Sequence, residues 1–473
     1  MTDNLYARQQ STRYPLCGNI QVTAPTSARL MTPFVLQEQG DWFEDEMAFI
    51  RAFIRPGMQV IDIGANYGLY ALTIAKRIGE TGKLWAFEPT AFTADCLAAS
   101  IADNQLGNIE LIRAGLSDRP GKAKLFTTPN TELNSLTKAS TPGTHAETIT
   151  LLTLDHCHKR FDWHDIDFIK LDAEGEENNI LKKAKISLTE LSPLIMFELK
   201  HGQQVNLPLM QRFKSLGYDT YRLLPGLNCL TPFSADEDFD SYLLNLFCCK
   251  PDRALQLEAT GFLVRPGSTE EAFDITKPDM TESTAHLAQL AYSESLFQLI
   301  DDHAWRSDGD YLQVVQHFAL AQVITKPMIQ RHAHLMTAWQ KARCLLENGE
   351  QDFARLATFA RIAFDVGSRN LGMQILTGLL QRHQNTATNI DIHEPLFPAC
   401  REFDNVAPHA NTPQALKHWL LASVLTQFVE KHAYSSYFSG RLVLPQLQLL
   451  EKLGYLSQRL ETRRRLIETY FPA

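Results

Sequence analysis

Residues 59–75 read QVIDIGANYGLYALTIA, and this stretch decides the fold of the first half of the chain. The apolar residues at its start predict a short buried strand, and the apolar run after Gly68 predicts a helix. Gly64 and Gly68 allow a sharp turn and a close approach of the backbone to a ligand. Free N–H groups at the start of the helix favour an electronegative ligand group. The stretch therefore predicts a βαβ unit with a binding turn.

The spacing of this turn indicates which cofactor it suits. Asp-x-Gly-x-x-x-Gly differs from the dinucleotide fingerprint G-x-G-x-x-G. It suits S-adenosylmethionine, which has no pyrophosphate but has a zwitterionic methionine moiety; a purely structural turn is the alternative. The candidate cofactor-binding residues are Asp62, Gly64, Ala65, Asn66 and Gly68.

A second strand, KLWAF, ends in Glu88. Glu88 follows the glycine turn at close to the offset of about 20 residues expected for an acid that binds ribose hydroxyls. A carboxylate can accept hydrogen bonds from two hydroxyl groups, so a glutamate suits a ribose. The alternative is a solvated glutamate at the end of a strand.

A third cluster follows the predicted strand IDFIKL at residues 166–171. Lys170, Asp172 and Glu174 alternate, so an extended backbone would place them on one face. Ionisable groups that lie close together shift each other's proton affinity, and such a site could hold a general base. An acidic helix N-terminus, favoured by the macrodipole, is the alternative reading for Glu176 and Glu177.

Three residues are candidates for the base that deprotonates an acceptor hydroxyl. We rank Glu174 first, Asp172 second and His201 third. The segment FELKH ends the next predicted strand, so Glu198 and His201 are candidates for acceptor binding as well. A hydrogen-bonded structural histidine is the alternative for His201.

Changes in composition and in hydrophobic periodicity divide the 473 residues into four regions. We expect an N-terminal arm over 1–40, an α/β domain over 41–250, a linker over 251–284 and an all-α domain over 285–473. Breaks at Gly349 and Gly367 predict helices of about 15 residues. Either a bundle or weakly tetratricopeptide-like helical hairpins would fit this region. The closing helix LSQRLETRRRLIETYF is best read as a solvated face that caps the bundle.

Composition excludes several classes of function. A net charge of −9 disfavours nucleic-acid binding. The sequence has no apolar run of 18 residues and no secretory signal, so we expect a cytoplasmic protein without a membrane span. The cysteines lack metal or redox spacing. We expect no metal, because the histidines at 156, 158 and 164 lack zinc-site spacing and those at 332 and 334 would lie on different faces of a helix.

These segments together resemble the FkbM family of S-adenosylmethionine-dependent methyltransferases. The pieces that carry the resemblance, within residues 42–250, are VIDIGANYGLYAL, AFEP, GLSD, TLD and DFIKLDAEGEENNILKKA. The resemblance implies a seven-stranded Rossmann-like fold whose last strand, over 242–250, is antiparallel. It implies methyl transfer from S-adenosylmethionine, usually to a hydroxyl of a sugar, glycan or polyketide-like acceptor. The segment LKKA departs from the family, which often has a glycine before the alanine.

The resemblance also assigns roles to matching residues. Asp62, Gly64, Asn66 and Gly68 would form the cofactor loop, and Glu88 would bind the ribose. Ser117 and Asp118 would lie near the adenine or methionine end, and Asp172 and Glu174 would face the reacting centre. All of these residues stand at matching positions.

Two other functions fit the same sequence. The methyl group could pass to a nitrogen or a carboxylate, or the chain could be a cofactor-binding interaction protein. In either case the helical region could recruit a protein partner, self-associate or cover the acceptor cleft.

Overall fold

A computed structural model describes residues 10–127, 145–201, 204–234, 240–265, 267, 275, 278–300, 309–386 and 390–472. The chain divides into two compact units. The first comprises Met1–Leu223, Leu230–Asp238 and Leu243–Leu263, and the second comprises Leu224–Cys229, Phe239–Tyr242 and Val264–Ala473.

Within the described residues, the strands all lie before residue 250. They are β1 Ser11–Leu16, β2 Ile20–Pro25, β3 Gln59–Ile63, β4 Lys83–Phe87, β5 Ile109–Ile112, β6 Gly115–Leu116, β7 Gly121–Thr127, β8 His145–Leu152, β9 Phe168–Leu171, β10 Leu194–Glu198, β11 Lys200–His201, β12 Gln204–Val205, β13 Asp219–Leu224, β14 Cys229–Pro232 and β15 Asn245–Cys249.

Nine helices of the first unit accompany these strands in the described residues. They are α1 Met31–Gln39, α2 Glu46–Phe53, α3 Leu69–Ile78, α4 Ala91–Asp103, α5 Leu154–Phe161, α6 Glu177–Lys182, α7 Lys185–Glu190, α8 Leu207–Ser215 and α9 Pro251–Ala259.

The central sheet has eight strands in the order β14-β13-β15-β10-β9-β3-β4-β5. From β10 to β5 the strands are parallel, and β15 is antiparallel to both β10 and β13. Their apolar runs are buried on both faces, as expected when helices cover a parallel sheet. The predicted Rossmann-like fold with an antiparallel last strand is confirmed, and β14 adds one strand to the seven predicted.

The predicted N-terminal arm, residues 1–40, is described from residue 10 onward. This part forms strands and a helix that pack in the first unit. Strands β1 and β2 form an antiparallel hairpin, and α1 follows them. Tyr14, Leu16, Ile20 and Val22 are buried in the core of this unit, so the described part of the segment does not behave as an arm. Helix α9 likewise falls inside the stretch predicted to be a linker.

The described part of the second unit is helical from residue 280 onward, as predicted. Its helices are α10 Met280–Leu287, α11 Ser293–Phe297, α12 Asp310–Gln322, α13 Met328–Glu347, α14 Phe353–Asp365, α15 Arg369–Thr386, α16 Pro413–Lys431, α17 Ser436–Ser439, α18 Leu444–Leu453 and α19 Gln458–Tyr470, with a 3₁₀ helix at Arg401–Asn405. Gly349 and Gly367 separate α13, α14 and α15, where the sequence predicts breaks. Among the described residues, no helix is long and apolar enough to cross a bilayer.

The last helix, α19, forms several ion pairs. Arg459 pairs with Glu402 and Glu430, and Arg464 pairs with Glu451 and Glu461. These contacts offset the positive charges of Arg459 and Arg464.

Candidate active site

The glycine turn between β3 and α3 has a backbone that few side chains tolerate. Gly64, Asn66 and Gly68 have φ values of 81°, 50° and 92°, all in the left-handed region. The N–H of Gly64 donates to the carbonyl of Phe87 at 3.0 Å. A Cβ on Gly64 would lie 1.8 Å from the carbonyl oxygen of Asp172. Only glycine therefore lets this turn contact the loop that follows β9.

Glu88 follows β4 and reaches back to the turn. Its Oε2 accepts the N–H of Asn66 at 3.0 Å, and its Oε1 accepts the N–H of Thr90 at 2.8 Å. Burial raises the pKa of Glu88 to about 7, although the hydrogen bonds from Thr90 and Asn66 oppose this shift. A carboxylate oxygen can accept more than one hydrogen bond, so Glu88 remains a candidate for binding ribose hydroxyls.

Asp62 is fully buried inside the sheet at the carboxyl end of β3. Neither of its carboxylate oxygens accepts a hydrogen bond from the described residues. Burial raises its pKa to about 6, and the positive charge of Lys170 opposes the shift. A buried carboxylate with no donor is costly, so a ligand donor fits here.

Lys170 lies between two of the predicted site residues and is 5% exposed. Its Nζ donates to Oδ2 of Asp172 at 2.8 Å and lies 3.9 Å from Oδ1 of Asp62. It also stands 5.3 Å from the ring centroid of Tyr70. Burial lowers the pKa of Lys170, but the charges of Asp172 and Asp62 outweigh burial, so its pKa is raised overall. Lys170 is therefore charged at neutral pH.

The loop after β9 is a turn rather than a continuation of the strand. Strand β9 ends at Leu171, and Glu174 and Gly175 have φ values of 52° and 97°. The expectation that Lys170, Asp172 and Glu174 share one extended face is therefore wrong beyond Asp172. The side chain of Asp172 is 37% exposed, whereas Lys170 is buried.

Glu177 fixes this turn, a role that sequence reasoning missed. Its Oε1 accepts the N–H groups of Ala173 at 2.8 Å and Gly175 at 3.2 Å. Because Glu177 is 2% exposed, these hydrogen bonds are shielded from water. The Glu-Gly pair followed closely by an acid was the available signal, since acids accept hydrogen bonds from local backbone.

The GLSD turn also reaches the acidic loop. The hydroxyl of Ser117 donates to Oε2 of Glu176 at 2.9 Å, and both side chains are buried. Asp118 lies 3.8 Å from Nζ of Lys182. Ser117 thus ties the segment at β6 to the start of α6.

Glu198 ends β10, the neighbour of β9 in the sheet. Burial, and then the charges of Asp172 and Glu177, raise its pKa to about 9. It is therefore protonated at neutral pH. His201 belongs to the short strand β11, and its side chain lies outside the described residues.

Glu44, which precedes α2, is a second residue that sequence reasoning missed. Its Oε2 accepts the hydroxyl of Tyr70 at 2.5 Å and the amide of Asn245 at 3.1 Å. Its Oε1 accepts the indole N–H of Trp42 at 3.0 Å. The acidic, aromatic run DWFEDE at residues 41–46 was a visible signal, but nothing in the sequence joined it to the sheet.

These features fit S-adenosylmethionine. The donor-free carboxylate of Asp62 suits an ammonium group, and the carboxylate of Glu88 suits ribose hydroxyls. The carboxyl edge of a parallel sheet is where open α/β folds bind their ligands, and these groups lie there.

Comparison with known proteins gives the family of this domain. Residues 62–220 match the family model described as the methyltransferase FkbM domain. The chain therefore carries an FkbM methyltransferase domain that uses S-adenosylmethionine. No curated protein matches the chain.

Several solved structures are similar to part of the chain. Methyltransferase FkbM from Methylobacillus flagellatus KT has 17% identity and a TM-score of 0.30, over 42% of this chain and 45% of that one. A SAM-dependent methyltransferase from Aquifex aeolicus has 13% identity and a TM-score of 0.27, over 46% and 93%. An rRNA methylase from Streptococcus thermophilus has 12% identity and a TM-score of 0.26, over 43% and 93%.

Proposed function

We propose that this protein is an O-methyltransferase that acts on a hydroxyl of a sugar, glycan or polyketide-like acceptor. The observation that supports this proposal is the backbone contact between the glycine turn and the acidic loop. That contact brings the backbone of Asp172, two residues before Glu174, against the turn that we assign to the cofactor. Oxygen acceptors need a nearby base, because a hydroxyl is a poor nucleophile until its proton leaves.

The proposed cofactor site divides between two carboxylates and the turn. Asp62 binds the ammonium of the methionine moiety, and Glu88 binds the ribose hydroxyls. When bound, S-adenosylmethionine supplies a methyl group activated on a sulfonium. Other proposed cofactor contacts come from Gly64, Ala65, Asn66, Gly68, Ser117 and Asp118.

The proposed acceptor site uses the loop after β9. Its residues would hold an acceptor hydroxyl close to the methyl group that the cofactor supplies. Glu174 takes the hydroxyl proton, with Asp172 as second candidate and His201 as third. Such a base contributes roughly 10²–10⁴-fold to the rate. Asp172 is accessible enough to meet an acceptor, because 37% of its side chain is exposed.

The second unit has a separate part in this proposal. We assign to it the recruitment of a protein partner or self-association, and we assign the whole protein to the cytoplasm without a nucleic-acid partner.

The first experiment tests the cofactor site. Calorimetric titration with S-adenosylhomocysteine is expected to give micromolar binding that is lost in Asp62→Ala and Glu88→Ala. A folded wild-type protein that binds no S-adenosylhomocysteine would overturn the proposal.

Glu174→Gln tests the base. With labelled S-adenosylmethionine and a panel of sugars, it is expected to abolish methyl transfer and to leave S-adenosylhomocysteine binding within about threefold. Glu110→Gln, a surface acid paired with Lys83, is the matched control and keeps full activity. Turnover unchanged in Glu174→Gln removes it as the base. If only amines or only carboxylic acids gave labelled product, the methylated atom would be a nitrogen or a carboxylate oxygen, and the proposal of a hydroxyl acceptor would be wrong.

A further inference from the structure

Lys170 occupies an unusual position in the sheet. It pairs in register with Asp62 on β3 and with Met196 on β10, so it stands in the centre of the sheet. Burial of an ammonium is costly unless charges compensate it. Two carboxylates do so here, Asp172 by a hydrogen bond of 2.8 Å and Asp62 at 3.9 Å.

The carboxylates of Asp62 and Asp172 differ in burial and in hydrogen bonding. Asp62 is fully buried and accepts no hydrogen bond within the described part of the chain, so the charge of Lys170 favours its ionised form. Asp172 is partly exposed, and its bond to Lys170 fixes where its carboxylate points. The ammonium of Lys170 therefore interacts both with Asp62, on the proposed cofactor side, and with Asp172, on the proposed acceptor side.

We infer that Lys170 is a positioning residue, which keeps Asp62 ionised for the cofactor and holds Asp172 toward the acceptor. The inference rests on the proposed roles of Asp62 and Asp172. Lys170 itself contacts neither substrate nor cofactor in this scheme.

A purely structural ion pair is a weaker explanation. A buried ion pair contributes little net stability compared with apolar residues of similar size. A structural pair would also satisfy both partners, whereas Asp62 keeps two oxygens without a donor. That arrangement is typical of a site that a ligand completes.

Several other titratable groups act on Lys170 and Asp62, so the pH dependence belongs to the cluster. They come from every neighbouring element: Glu44 before α2, Tyr70 of α3, Glu88 after β4, Asp172 after β9 and Glu198 of β10. Loss of the ammonium leaves burial and negative neighbours to act on Asp62 unopposed. Its ionisation then shifts to higher pH.

The test is calorimetry with S-adenosylhomocysteine between pH 6.5 and 8.5. Lys170→Met is expected to weaken binding about tenfold at pH 7 and to regain much of it by pH 8.5, as Asp62 ionises. Lys170→Arg keeps the cation and stays within about threefold at every pH. Lys214→Met, which removes a surface lysine paired with Asp219, is the matched control and binds like wild type.

A double-mutant cycle separates this coupling from general damage. If Lys170 acts through Asp62, Lys170→Met adds less than about twofold to the loss already caused by Asp62→Asn. Lys170→Gln gives a second neutral variant should Lys170→Met fail to fold, as checked by circular dichroism.

The inference fails if both neutral variants bind S-adenosylhomocysteine like wild type across this pH range. It also fails if their loss is independent of pH and additive with Asp62→Asn. Neither result touches the proposed function, which is tested separately by binding of S-adenosylhomocysteine to the wild type and by the acceptor screen.

Discussion

Gly64 is the residue on which the site most depends. Replacement by alanine meets two penalties, a φ of 81° and a Cβ 1.8 Å from the carbonyl oxygen of Asp172. We expect Gly64→Ala to lower the free energy of unfolding by about 3 kcal/mol or more, measured by urea denaturation. The turn and the loop must separate, so S-adenosylhomocysteine binding is lost as well.

Gly217→Ala is the matched control for this substitution. Gly217 has a φ of 84° but no atom within 4 Å of an added Cβ. It should cost about 1 kcal/mol, from the backbone alone. Equal losses in the two variants would show that the contact with Asp172 does not matter.

For individual residues, the sequence predicts which side chains lie at the carboxyl ends of the strands. Asp62, Glu88 and Asp172 follow apolar runs directly, so their meeting at the carboxyl edge of the sheet follows from parallel topology. The placement of Glu174 could not be read, because its left-handed backbone is set by the bonds of Glu177 to the loop. Glu44 meets the site only through tertiary packing.

Among the elements, the hairpin β1-β2 replaces the predicted N-terminal arm, and its strands show a period of two. Tyr14, Leu16, Ile20 and Val22 alternate with more polar residues around Gly18-Asn19. Positive φ values of 88° and 56° at those two residues are the conformation that a tight hairpin turn requires. The signal was present, but the prolines and threonines of the segment obscured it.

The helices α12 and α13 meet through a histidine pair that spacing along one helix did not reveal. Nδ1 of His317 and Nδ1 of His334 are 2.9 Å apart, and His317 is fully buried. One ring donates and the other accepts, so at least one is neutral. Burial, then the charges of His334 and Lys341, lower the pKa of His317 to about 4.

This pair is expected to make the second unit sensitive to acid. Unfolded histidine titrates near pH 6.5, so the unfolded state binds more protons below that pH. Stability is complete above about pH 6.5 and falls as the pH drops toward 4, by up to about 3 kcal/mol. Urea unfolding of wild type and His317→Asn at pH 7 and 4.5 measures the difference, which should shrink in the variant.

A control variant isolates the pair from other groups that titrate in acid. His418 is exposed in the same unit, so His418→Asn should retain the pH dependence of the wild type. If His317→Asn retains it too, the pair is not the source of the acid sensitivity.

For the whole molecule, the order of the sheet was predictable and the arrangement of the helical unit was not. Strands such as β3, β4 and β9 end in the motifs that we assign to the cofactor and acceptor, and motifs of this kind indicate a known topology. The helices of the second unit show amphipathic periodicity only, which is compatible with many packings. Its core, built around residues such as Trp419 and Phe359, becomes visible only in three dimensions.

Cofactor binding is expected to stabilise the first unit by linkage. S-adenosylhomocysteine at a hundred times its Kd adds about 2.7 kcal/mol to a unit that binds it only when folded. Hydrogen exchange measured by mass spectrometry reports this as roughly hundredfold slower exchange of the most protected amides of β3 and β9. Asp62→Ala at the same ligand concentration should show no slowing, because its site lacks the ammonium partner. Equal protection in that variant would place the ligand elsewhere in the chain.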